Sequence, residues 1–144
     1  MTPTLLGRWQ TRLFLLSTVG VIVSTPFAFG IIGSGMTWGY YWVLLYVFLF
    51  GIAWDYLYNF LQQLMWDHDW PGLFQLASAI AEGLLLAGMI KFVGLPHIPQ
   101  EFPLQWFALH YVLVWLATYL LSWVIMRLLF PHWRFRGGEW IGKW

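Results

Sequence analysis

Four apolar runs, each long enough to cross a bilayer as a helix, take up most of the 144-residue chain. They extend from Leu13 to Ile32, Trp38 to Leu64, Gly72 to Gly94 and Leu104 to Phe130. A spanning helix needs ~20 mostly apolar residues, because hydrocarbon offers no partner for an unpaired backbone N–H or C=O. Spanning strands are excluded, since these runs are too long and lack period-two alternation. Only 9% of the residues are charged and mean hydropathy is +0.67. A soluble domain carries ~25% charged residues, so this chain has too little polar surface to cover a globule in water. The connections Gly33–Thr37, Met65–Pro71 and Leu95–Pro103 are short, which predicts antiparallel neighbours. The expected fold is an all-α integral membrane protein, a single four-transmembrane-helix domain over residues 1–144 with up-down-up-down topology.

Lys and Arg set the expected orientation. Arg8 and Arg12 precede the first run, while Arg127, Arg134, Arg136 and Lys143 lie at or beyond the end of the fourth. Lys91 stands alone at the opposite face. Both termini are therefore expected in the cytoplasm, with the Met65–Pro71 turn on the same side. Trp38, Trp42 and Trp106 mark the outer boundary, and Trp9, Trp66, Trp70 and Trp133 the inner one, as interfacial indoles do. Arg8, Arg12 and an apolar core ending in Ala28-Phe29-Gly30 resemble a secretory signal, but the segment is expected to remain as the first helix. Pro26 is expected to bend it.

The unusual chemistry lies on the second and third runs. Asp55, Asn59 and Gln62 share one helical face, as do Gln75, Ser78 and Glu82. The pairs Asp55 with Glu82, Asn59 with Ser78, and Gln62 with Gln75 are each equidistant from the midpoint of His68 and Asp69. If a tight turn joins two helices there, these rungs face each other as a polar seam. Glu82 then lies ~15 Å deep at 1.5 Å per residue, and Asp55 at a similar depth. Ionisable groups in hydrocarbon are costly and mark sites of function by default. Two carboxylates at one depth would share a proton, bind a cation, or pair with a base. Arg127 is the expected cationic partner by charge, although it lies shallower than the pair and its long side chain would more readily reach outward to the interface. The plain alternative is hydrogen-bonded glue between helices, and Asn59, Ser78, Gln62 and Gln75 need no more than that. Ala79, Gly83 and Ala87 recur every fourth residue, which predicts close packing by the third helix.

Other candidates are weaker. Asp67-His68-Asp69 lacks the His-x-x-x-His or Glu-x-x-His company of a metal site, and reads as a solvated turn with Asp69 capping the next helix. His110 could ligate a haem iron or a pigment magnesium, yet no second histidine sits at matching depth. It is expected to hydrogen-bond within the bundle. Arg134 and Arg136 open a basic, aromatic tail over 131–144, expected at the interface with anionic lipid or a partner. Hydrolase nucleophile patterns, Walker loops and dinucleotide fingerprints are absent, which leans against an enzyme. Absence of cysteine excludes disulfides and thiolate metal centres.

These features predict a non-enzymatic accessory or assembly subunit of a larger membrane complex, in a bacterial inner or thylakoid-type membrane. The alternative is a small oligomeric proton- or cation-linked transporter using Asp55 and Glu82. No metal or resident cofactor is predicted, while bound lipid, and a pigment or quinone, are compatible with the sequence. The partners expected are the bilayer and further membrane subunits or copies of this chain. Nucleic acid is excluded by a net charge of +1.

Overall fold

A computed structural model describes residues 3–33, 35, 37–68, 70–133 and 135–141. The fold is all-helical, with four helices long and apolar enough to span a membrane: α1 (Leu5–Ala28), α2 (Gly39–Gln63), α3 (Gly72–Val93) and α4 (Leu104–Leu129). α1 packs beside α2 and α4, and α3 closes the square against α2 and α4. α1 and α3 therefore face each other across the diagonal.

α1 starts at Leu5, well before the expected Leu13, because Thr4 caps it. The Thr4 hydroxyl accepts the Gly7 N–H at 3.1 Å, satisfying one of the donors that a helix start leaves open. The early start places Arg8 and Arg12 on the helix rather than in a flank. At Leu16–Gly20 the helix widens into one π-helical turn, which rotates the following residues relative to the first turns. The Gly20 surface meets Leu44 of α2 there, close enough that a Cβ would lie 2.9 Å from the leucine. Pro26 occupies the last turn of α1, and the chain leaves the helix at Phe29.

One end of the bundle is densely packed. Phe27, Tyr40, Val43, Leu86, Ile90 and Phe107 form a buried core shared by all four helices. The 95–103 loop completes it with Leu95, Ile98 and Phe102. His97 of this loop stacks on Trp42 at 4.1 Å, and Tyr46 donates to the Pro96 carbonyl at 3.1 Å. The loop is thus a lid on the core rather than a simple connector.

The other end carries the N-terminus, the 64–71 turn and the C-terminal segment. That segment folds back on α1: the Thr4 N–H donates to the Gly137 carbonyl at 2.8 Å, and the Thr4 hydroxyl to Glu139 at 2.5 Å. Gln10 Oε1 accepts from the Trp140 and Ile141 N–H groups at 3.0 and 3.1 Å, while its amide nitrogen donates to the Ile141 carbonyl. Gly7 allows the approach, because a Cβ there would collide with the Gly137 carbonyl. The segment expected as an interfacial tail is therefore docked on α1. Arg136 is exposed on it, and Arg134 lies outside the described residues.

Candidate functional site

The site is organised by Arg12 on α1. Its guanidinium grips Asp55 of α2 in a two-point fork, Nε to Oδ2 and Nη2 to Oδ1, both at 2.8 Å. The same group reaches across the diagonal to Glu82 of α3, with Nη1 to Oε2 at 3.2 Å and Nη2 to Oε1 at 3.4 Å. All three side chains are largely buried, at 18%, 5% and 11% exposure for Arg12, Asp55 and Glu82. Planarity makes arginine suited to this task, since one rigid fork can hold two carboxylates at once. Gly51, one turn before Asp55, makes room: any Cβ there would collide with the guanidinium.

Arg127 does not take this role. Its guanidinium lies over the Trp123 ring at 4.8 Å on the outer surface of α4. The charge that meets the carboxylates comes from a residue read as a cytoplasmic flank. Two features of the sequence point to it in retrospect. Arg8 and Arg12 stand four residues apart, so on a longer helix they share a face. Gly51 stands four before Asp55, where a bulky neighbouring group needs space.

Arg8 lies one turn nearer the end. It donates to Gln62 Oε1 at 2.7 Å and sits over the Trp70 ring at 4.8 Å. Gln62 Nε2 in turn donates to the His68 carbonyl at 2.6 Å, which holds the 64–71 turn, where His68 adopts a positive φ of 50°. Gln62 is thus bound to Arg8 and the turn rather than to Gln75. Ser78 donates its hydroxyl to the Gln75 carbonyl of its own helix at 2.8 Å, and the Ser78 carbonyl accepts from Tyr58 at 3.4 Å. Asn59 is half-buried. Of the three mirrored rungs, only Asp55 and Glu82 are joined, and Arg12 joins them. Asp69, expected as a cap, lies outside the described residues. Among the described residues, no three of His, Asp or Glu come together as a metal site would require.

The brace borders a cavity of about 370 Å³ that residues of all four helices line. Pro3, Trp70, Pro71 and Gly137 line it at the end that carries the termini, and its walls include Ser78, Thr118 and Ser122. Tyr111, Trp115 and Tyr119 line it from α4 at helical spacing, with Trp115 and Tyr119 nearly parallel at 5.1 Å. The small residues of α3 admit this wall. Tyr111 donates to the Ala79 carbonyl at 2.8 Å, and its ring occupies the space where a Gly83 Cβ would lie.

His110 is not among the residues that line this cavity; it is buried in the packed end between Phe27 and Tyr40. Its Nε2 lies 2.8 Å from the Ser24 hydroxyl, whose own proton goes to the Gly20 carbonyl at 2.7 Å. Nε2 is therefore the donor of the pair, and the neutral ring ties α4 to α1. No family model, curated protein or solved structure matches the chain.

Proposed function

We propose that this chain is a four-span membrane protein of up-down-up-down topology, both termini on the cytoplasmic side, and that it serves as a non-enzymatic accessory or assembly subunit. The observation that carries this reading is the commitment of Asp55 and Glu82 to Arg12. Carboxylates that would move a proton or cation are here used to lock three helices together. The bundle beyond them is filled by the Phe27–Tyr40–Phe102 core rather than by a continuing polar path. Large apolar side chains such as Leu73, Ile80 and Leu84 cover the outside of α3, a surface suited to lipid or to a further membrane subunit. The setting that fits is a bacterial inner or thylakoid-type membrane.

A second reading has one observation in its favour. Glu82 is held at longer distances than Asp55 and lines the open cavity, as a proton- or cation-linked carrier would need. Gentle extraction from the native membrane, followed by intact-mass measurement, separates the two. The subunit reading expects a heteromeric mass, and a charge-balanced variant with Arg12→Gln, Asp55→Asn and Glu82→Gln that still assembles. A homo-oligomer whose proton or cation flux in proteoliposomes is abolished by that variant establishes the carrier instead.

A further inference from the structure

We propose that the end of the cavity nearest the termini holds a phosphate-type oxyanion, supplied by the headgroup of an anionic membrane lipid. The starting point is an imbalance between two arginines one helical turn apart. Arg12 is shared by two carboxylates. Arg8 also lines the cavity, yet it pairs with no carboxylate among the described residues. One N–H of Arg8 goes to Gln62, the guanidinium covers the Trp70 ring, and Nε is buried without a hydrogen-bond partner. A partly buried cation with unspent donors is costly until an anion answers it. The volume of about 370 Å³ falls in the ~300–1,000 Å³ range of small-molecule sites, which leaves room for a headgroup.

Unspent polar groups gather near Arg8. The Tyr119 hydroxyl hydrogen-bonds to no described residue and stands beside Gly72, 3.3 Å from where a Cβ would lie. The Gln75 amide, in the first turn of α3, is also uncommitted among the described residues. The carboxylates lie deeper. Glu82 is seven residues past Gln75, and Asp55 seven before Gln62, or ~10 Å at 1.5 Å per residue. Both are held by Arg12, and this brace sets one positive charge against two negative ones, so an added anion belongs with Arg8. The Ser78, Thr118 and Ser122 hydroxyls donate to carbonyls of their own helices, and a hydroxyl can turn its proton toward an anion instead. A second observation points to lipid as the source. Trp123 lines the cavity, is 42% exposed on α4 and has Arg127 over its ring at 4.8 Å. Arg127, too, pairs with no carboxylate among the described residues. Two arginines at this end thus lie over tryptophans that border one cavity, a combination suited to an interfacial lipid phosphate. Exposed Trp123 gives the acyl chains a side that faces the bilayer. The inference holds whether the chain is a subunit or a carrier.

The test is native mass spectrometry of the whole protein in detergent, titrated with phosphatidylglycerol and with phosphatidylcholine of the same chains. Both carry a phosphate, but only the first is a net anion. One phosphatidylglycerol per chain is expected, held at least about tenfold more tightly than phosphatidylcholine. Tyr119→Phe removes a hydroxyl on which no described residue depends, and weakens that binding about fivefold. Arg8→Gln removes the preference, whereas Arg136→Gln, on the docked C-terminal segment, keeps it. Glycerol 3-phosphate that fails to displace the lipid supports the headgroup as source; displacement at equal concentration overturns it in favour of a soluble phosphate ester. Equal affinity for the two lipids, or a preference untouched by both Tyr119→Phe and Arg8→Gln, overturns the proposal. If the substitutions unfold the bundle, a phosphatidylglycerol with a diazirine in its headgroup locates the site on the wild-type chain. Labelling within 70–75 and 119–123 is expected, and labelling confined to other residues overturns the proposal.

Discussion

The two ends of this bundle are built on opposite plans. At the 95–103 end, Tyr40, Val43, Ile90 and Phe27 are almost wholly buried, and a loop seals them with Phe102. The polar contact buried in that core is His110 with Ser24, which ties α4 to α1. At the end that carries the termini, the diagonal between α1 and α3 is left open, and the void is lined by hydroxyls, aromatic rings and arginines. The Arg12 brace marks the border. The difference teaches where the specificity of the fold resides. One end is fixed by shape, through close packing, and the other by charge, through a single guanidinium that three helices share. A buried ion pair adds little net stability over a well-packed apolar substitute, yet breaking one side of it is severe. Each end should therefore fail in its own way.

The largest expected effect is at the border. Arg12→Gln leaves two carboxylates without their cation and is expected to cost about 3–5 kcal/mol, read as a large drop in thermal midpoint in detergent. Survival at the wild-type midpoint would mean that the brace is not what holds α1 to α2 and α3. Next comes Gly51→Ala, whose methyl group displaces the guanidinium and is expected to cost about 1–3 kcal/mol. A matching loss at the packed end is expected from Ser24→Ala, also about 1–3 kcal/mol, because His110 Nε2–H is left buried without an acceptor. The comparison sharpens with a pair of enlargements. Val43→Phe overfills the packed end and should cost about 1–3 kcal/mol, whereas Thr118→Leu enters the cavity and should cost less than about 1 kcal/mol. Equal penalties would show that the two ends do not differ in packing. The smallest effect concerns the docked C-terminal segment. Gly7→Ala pushes the Gly137 carbonyl away, and limited proteolysis should then cut around 137–141 faster while the helices stay intact. Unchanged cleavage would show that this segment is held elsewhere.

Much of this plan is legible in the sequence, and the exceptions have physical reasons. Four long apolar helices follow from length and composition alone. The meeting of Asp55 and Glu82 follows from helical spacing and one tight turn. The lower rungs do not pair as symmetry suggests. Gln62 is drawn to Arg8 and the His68 carbonyl, and Ser78 turns back on its own helix, as short hydroxyl side chains readily do. The partner cation was hidden by polarity. Leu5–Thr11 contains Arg8, Gln10 and Thr11, so hydropathy reads it as a flank, while tertiary contacts make it two turns of helix. Arg127 looks equally eligible from charge, and only the diagonal geometry of α1 and α3 selects Arg12. The cavity leaves no linear pattern at all, because it is a gap between helices rather than a property of any one of them.

The most direct measurement of the central claim is the thermal midpoint of Arg12→Gln beside a triple variant that also carries Asp55→Asn and Glu82→Gln. If Arg12 serves to neutralise those two carboxylates, removing them restores most of the stability that Arg12→Gln loses. If instead the losses simply add, the three groups are not coupled, and the brace described here does not hold the bundle together.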